Sequence, residues 1–344
     1  MASNDDVPVQ DTVEQDYVGY LGSAPSLPSI DSADTDSAVD TDSIRRSTAS
    51  VRTSIFESVE ENGRTYHRYK QGQYPLPNDE AEQDRLDLQH ELCRLTFNGK
   101  LFLAPITERK LEWVLDIGTG TGIWAIEFAQ EFPETNVIGT DLSPIQPVFV
   151  PPKCQFEIDD AEEEWVFSHK FDFIHGRALV SCFRNAFTVI KSAFEFLEPG
   201  GYLELQDGIF PIEYVGEPPV DSSLYKWMKL IVEGATKIGR PWTGTTKYKE
   251  YLIEAGFEDV VEKRFYWPIG PWAKGKYFKT LGIFCQEDLL SALEGVSLKL
   301  LGALGWSKNE IDVLLAGVRD DIKNKPLHGY IPITLVYGRK PLNA

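Results

Sequence analysis

Between Leu111 and Tyr337, short apolar runs alternate with stretches in which apolar residues recur every three or four positions. The run Trp113 to Ile117 carries a single acid, Asp116. It breaks at Gly118-Thr-Gly-Thr-Gly122 and gives way to a helix-like stretch from Ile123 to Phe132. Short apolar runs bounded by turn residues read as buried strands, and stripes of 3.6-residue period read as helices. On that basis strands are predicted at 112–117, 136–140, 154–158, 171–176 and 202–206. A helix is predicted over 184–197, and Pro199-Gly200-Gly201 reads as the turn into the fifth strand. Ala255-Gly256-Phe257 precedes a further strand through about Trp267. Helices follow at about 277–304 and 307–323, and Ile331 to Tyr337 reads as a last strand. Upstream, Leu86, Leu88, Leu92 and Leu95 mark a helix over 79–97, with Asn78 after Pro75-Leu-Pro as its N-cap. Strands alternating with helices imply an α/β fold built on a parallel, doubly wound sheet with right-handed crossovers.

Composition divides the chain. Residues 1 to about 53 are rich in Ser, Thr, Asp and Pro and read as a disordered tail. Arg45-Arg46-Ser47-Thr48 in it bears a weak likeness to a basophilic kinase site. Residues 54–110 form an N-terminal lid and helical segment, whose tract Arg64 to Tyr74 is aromatic and basic. The main domain spans 111–340. Within it, residues 211–245 are long for a connection and carry Tyr225, Trp227, Met228 and Trp242, as expected of a cap at the ligand edge. The net charge of −19 makes the chain a poor partner for DNA or RNA. The four cysteines show no C-x-x-C spacing and read as buried thiols in a reducing compartment. No apolar run approaches 18 residues and the acidic start lacks a signal-peptide pattern. A soluble chain in the cytoplasm, the nucleus or both is expected, with no membrane contact. No His/Cys/acid cluster has metal-ligand spacing, so no metal is expected.

The glycine loop carries the candidate chemistry. Glycines at alternate positions permit positive φ and let a ligand approach bare backbone. A dinucleotide fingerprint is G-x-G-x-x-G, whereas this loop is G-x-G-x-G. Asp116, just before it, would face a pyrophosphate badly but suits the ammonium and sulfonium of S-adenosyl-L-methionine. The loop therefore points to a methyl-donor site rather than to a nicotinamide-dependent oxidoreductase. Asp141 closes the second strand 19 residues after Gly122, at the distance where an acid accepts from ribose hydroxyls. It also suits a plain helix start in Asp-Leu-Ser-Pro.

Four tracts together are similar to the fungal LaeA-like methyltransferases: Arg64 to Pro105, Leu115 to Trp124, Asp159-Asp-Ala-Glu-Glu-Glu-Trp165, and Phe171-Asp-Phe-Ile-His-Gly-Arg177. The resemblance covers roughly residues 60–340. It implies a class I seven-stranded fold with an antiparallel last strand, and S-adenosyl-L-methionine as donor. It also implies that Asp116, Gly118, Thr119, Gly120 and Gly122 hold the methionine end, Asp141 with Leu142 the ribose, and Asp160 with Ala161 the adenine. Family members have two occupations: enzymes that methylate O or N of a metabolite, and nuclear regulators of secondary metabolism that work alongside velvet-type proteins.

Among the remaining candidates, His175 lies at the carboxyl end of strand four, where open α/β sheets bind ligands. It is either a general base or a structural histidine. Arg177 is placed to hold a substrate carboxylate or carbonyl, and Trp227 and Trp242 to wall an acceptor with rings. Tyr66, with His67, Arg68 and Tyr69, either folds over the cofactor or packs the leader on the core. His90 faces the pocket from its helix or is structural. The reading adopted is methylation of a small molecule in fungal secondary metabolism. The alternative is a LaeA-like regulator acting through velvet-type partners.

Overall fold

The computed structural model describes residues 57–344; the expected tail and its Arg45–Thr48 motif lie outside the described residues. The described chain opens with a hairpin that the periodicity did not predict, strands β1 (Ser58–Glu61) and β2 (Arg64–His67). Asn62 and Gly63 at its turn have φ of 54° and 80°. That is the left-handed pair a two-residue hairpin needs, and Asn-Gly is its usual sequence. Helix α1 (Glu80–Thr96) follows. Its N-cap is Asp79 rather than Asn78. The Asp79 carboxylate accepts from Glu82 N–H at 3.1 Å and pairs with Arg64 Nε at 2.6 Å, so one acid caps the helix and ties it to the hairpin.

The main sheet contains β3 (Trp113–Ile117), β4 (Asn136–Asp141), β5 (Cys154–Ile158), β6 (Phe171–Arg177), β7 (Leu197–Gly208), β9 (Glu258–Pro268) and β10 (Gly329–Arg339). A two-residue strand β8 (Glu213–Tyr214) adds to its edge. The order β5-β4-β3-β6-β7-β10 is parallel as far as β7. β10 then runs antiparallel to β7, and β8 and β9 both pair with β10. This is the class I seven-stranded sheet with its antiparallel last strand. Pro199-Gly200-Gly201 does not end a helix-to-strand turn as expected. β7 already begins at Leu197, and the register against β6 shifts across this stretch, so the three residues form an irregularity inside the strand.

Helices α2 (Ile123–Glu131), α3 (Ala186–Phe196) and α5 (Tyr248–Ala255) join these strands, and Phe128 and Trp124 of α2 pack on Phe173 in the sheet. The long insertion forms α4 (Ser223–Lys237) and a 3-10 turn (Trp242–Lys247). Helices α6 (Lys276–Ala303) and α7 (Lys308–Asn324) pack with α4, so Trp227, Ile231, Leu293, Leu300 and Leu315 share one apolar cluster with Leu92 of α1. This second core, built from these helices together with Trp267 of β9 and Ile331, Ile333 and Leu335 of β10, covers that side of the sheet. Among the described residues, no helix is long and apolar enough to cross a membrane.

Candidate active site

The strand β3 ends where backbone with positive φ is required. Gly118 has φ 64°, and a Cβ there would lie 2.6 Å from Leu179 Cδ2; a Cβ on Gly122 would lie 2.4 Å from the Phe156 ring. Asp116, in β3, is buried beneath this loop. One oxygen accepts from Thr119 Oγ1 at 2.6 Å and the other takes His175 Nδ1 at 2.7 Å. Asp116 and His175 face each other in the β3–β6 register, so the sheet itself sets this contact. The His175 ring lies flat on Trp124, with centroids 3.8 Å apart and planes 3° from parallel. It is wholly buried. Burial lowers its pKa, against the opposing pull of Asp116, so the ring is neutral with its hydrogen on the nitrogen facing the carboxylate.

Two cavities open at the carboxyl edge of the sheet. The first is lined by Gly118, Gly120, Asp141, Leu142, Asp160 and Ala161, and is closed by Tyr74, Pro77 and Asn78 of the leader. Asp141 accepts from Gly120 N–H at 2.9 Å and Ser143 N–H at 2.8 Å; burial lifts its pKa to about 6. Each of its oxygens keeps a lone pair for a hydroxyl donor. Asp160 accepts from Glu162 N–H at 2.9 Å and from Lys70 Nζ at 3.1 Å, and Lys70 also reaches Glu163. A backbone cradle bare of side chains, followed by two carboxylates on successive strand ends, fits a ligand that offers ribose hydroxyls and an amine.

The second cavity is aromatic. Trp227, Trp242 and Trp267 line it together with Phe97 and Phe210. Trp227 Nε1 donates to Ser297 Oγ at 2.8 Å and Trp267 Nε1 to Thr96 Oγ1 at 2.7 Å, which fixes both rings. Charged groups in its wall are Arg85, Arg177, Asp207 and Asp288. Arg85 is buried in a pair with Glu82 at 2.7 Å and Asp288 at 2.8 Å. Asp207 accepts from Leu179 N–H, Gly208 N–H and Tyr248 Oη; burial raises its pKa to about 7. Tyr74, Leu86, Arg177 and Ala178 line both cavities, so the two meet there.

The structure thus brings Gly118, Gly120, Asp141, Leu142, Asp160 and Ala161 to one cavity, and Trp227, Trp242 and Arg177 to the other. Asp116, Thr119, Gly122 and His175 line neither; they brace the loop from behind. Tyr66 also lies off the site. It is buried, with the Lys299 ammonium 3.7 Å from its ring centroid, and packs the leader on α6. The tyrosine that reaches the site is Tyr74, at the other end of the same aromatic tract. Arg85, Asp207 and Asp288 were not singled out in the sequence. Asp207 had a signal, as an acid at the carboxyl end of strand five. Arg85 and Asp288 meet across some 200 residues of chain, and no local pattern marks them. His90, Glu91 and Glu127 bring three ligand-type atoms within 4.8 Å of one another. Arg177 and Arg94 already occupy His90 and Glu127, and two guanidinium groups disfavour a cation there.

The sequence comparisons agree with this geometry. A methyltransferase-domain profile matches residues 87–262. Methyltransferase pytC of Aspergillus terreus is 36% identical over 311 residues, covering 88% of this chain and 95% of its own length. The protein described as probable methyltransferase tdiE of Emericella nidulans is 34% identical over 264 residues, covering 76% and 83%. Secondary metabolism regulator laeA of Aspergillus fumigatus is 31% identical over 311 residues, covering 86% and 80%. With the glycine cradle and the strand-end carboxylates at the carboxyl edge of a seven-stranded sheet, these similarities lead to one assignment: the chain belongs to the LaeA-like class I S-adenosyl-L-methionine-dependent methyltransferases.

Proposed function

We propose that this methyltransferase methylates an oxygen or nitrogen of a small, ring-bearing molecule of secondary metabolism, held in the tryptophan-lined cavity. The observation that carries the reading is the junction of the two cavities at Tyr74, Leu86, Arg177 and Ala178. A regulator working only through protein partners needs no enclosed aromatic chamber beside its cofactor. Gly118 and Gly120 would hold the methionine end, Asp141 the ribose hydroxyls, and Asp160 with Ala161 the adenine. When bound, S-adenosyl-L-methionine supplies a methyl group activated by its sulfonium.

The remaining work falls to the chain. Trp227, Trp242 and Trp267 offer flat apolar walls that orient a ring and exclude water. Holding an acceptor atom in line with the methyl group supplies on the order of 7–11 kcal/mol of the barrier without a base. His175 therefore acts as a positioning residue: it holds Asp116, and Asp116 holds Thr119 in the loop. Asp207 accepts from Leu179 N–H, Gly208 N–H and Tyr248 Oη, and through these bonds it anchors the segment that starts at Leu179.

The test is deletion of the gene in its source organism, followed by extraction of the culture. Loss of one methylated product with accumulation of its unmethylated precursor is expected. Reduced transcripts of several unrelated pathways, with no such precursor, would overturn the reading in favour of a regulator with a velvet-type partner.

A further inference from the structure

Arg177 is the last residue of β6 and lines both cavities, yet it forms no ion pair among the described residues. Its Nη2 donates to His90 Nδ1 at 2.8 Å. A guanidinium has donors only, so Nδ1 must accept, and the ring hydrogen of His90 sits on Nε2. Nε2 in turn donates to Glu127 Oε2 at 3.1 Å, and Glu127 pairs with Arg94. His90 is fully buried. Burial, helped by the charges of Arg177 and Arg94, lowers its pKa to about 3.

Arg94 pairs with Glu127, His90 is neutral, and the exposed Glu91 beside them makes no bond to Arg177. Arg177 therefore stands at the junction of the cavities with no carboxylate bonded to it among the described residues. The carboxylates in the wall of the same cavity are engaged elsewhere. Asp207 is taken by Leu179, Gly208 and Tyr248, and Asp288 by Arg85. A guanidinium gripped on one edge by a neutral ring has its remaining N–H groups free, and their fork matches a carboxylate.

We propose that Arg177, positioned by His90 and Glu127, is a receptor for a carboxylate at the junction of the two cavities. The proposal rests on the cofactor and acceptor reading given above. Two sources supply this chemistry: the amino-acid end of the cofactor, and an acid group on the acceptor.

Calorimetry on the full chain separates them. The first arm compares S-adenosylhomocysteine with its decarboxylated counterpart, which keeps the amine. The second arm uses the protein saturated with S-adenosylhomocysteine and compares indole-3-carboxylate with indole-3-carboxamide. In one arm the carboxylate should bind at least about tenfold more tightly, the scale of a charge-assisted hydrogen bond. Arg177→Gln should erase that preference. Discrimination in the first arm assigns the receptor to the cofactor, and in the second to the acceptor.

His90→Leu should also erase the preference, because nothing then holds the guanidinium. His90→Asn leaves an acceptor oxygen near the Nδ1 position and should restore most of it. A merely structural histidine would lower thermal stability in both variants and leave the ratio unchanged, and that result would overturn the positioning role. Binding of S-adenosylhomocysteine with no preference in either arm would overturn the receptor alone. Failure of S-adenosylhomocysteine to bind at all would overturn the functional reading and the receptor together.

Discussion

The cavity proposed for the cofactor is walled by strand ends: the loop after β3, Asp141 at the end of β4, Asp160 just after β5, and Arg177 at the end of β6. The cavity proposed for the acceptor beside it is walled by α1, the end of β7, α4, the 3-10 turn, α6 and β10. Apart from the leader that closes it, the first is walled by strand ends and the loops that follow them. The walls of the second come from helices and strands far apart in sequence, and side-chain packing sets its shape. On the proposed reading, the first serves the adenosyl amino acid and the second sets the acceptor. The two should respond differently to damage.

The largest effect is expected from the second core. Trp227 is 1% exposed and hydrogen-bonded to Ser297. Trp227→Ala should cost about 3–5 kcal/mol of stability by chemical denaturation. Below the transition, S-adenosylhomocysteine affinity should change little, because Trp227 does not line the cofactor cavity. A parallel loss of affinity would remove the distinction between the two regions. Gly122→Val reverses the pattern. A left-handed β-branched residue driven into the Phe156 ring should weaken S-adenosylhomocysteine on the order of 100-fold by calorimetry. Unchanged affinity would show that the loop is not the cradle.

A smaller, graded effect sharpens the cofactor side. Burial raises the Asp141 pKa to about 6. Ribose hydroxyls donate to the carboxylate form, so binding favours the deprotonated acid. Affinity for S-adenosylhomocysteine should be level above pH 7 and fall by about tenfold per unit below pH 6. Asp141→Asn should weaken binding and flatten this profile between pH 5 and 7. A wild-type profile flat across that range would remove Asp141 from the contact.

The same division explains what was legible in the sequence. Parallel strands announce themselves as apolar runs, and the loop Gly118 to Gly122 declares its own φ angles, so the sheet and most of the lining of the first cavity could be read residue by residue. Spacing along a strand does not say which face an acid presents. Asp116 read as a ligand contact, but it turns to His175 and Thr119 beneath the loop. His175, expected as either a general base or a structural histidine, lies at the expected edge and is stacked on Trp124 against Asp116. In the leader, the aromatic tract was visible but not its fold. The hairpin at Asn62-Gly63 turns Tyr66 toward Lys299 and leaves Tyr74 for the site. Trp227 and Trp242 were picked out because tryptophans are conspicuous in an insertion, and both line the second cavity. Arg85 and Asp288 were not, because only the packing of α1 on α6 brings them together.

The central claim is that the glycine loop and its strand-end acids form a site for an adenosyl amino acid. Calorimetric titration of the full chain with S-adenosylhomocysteine, and separately with NADH, tests it most directly. One S-adenosylhomocysteine should bind per chain, and NADH should not bind, because the loop is G-x-G-x-G rather than the dinucleotide G-x-G-x-x-G. Binding of NADH without S-adenosylhomocysteine would contradict the account.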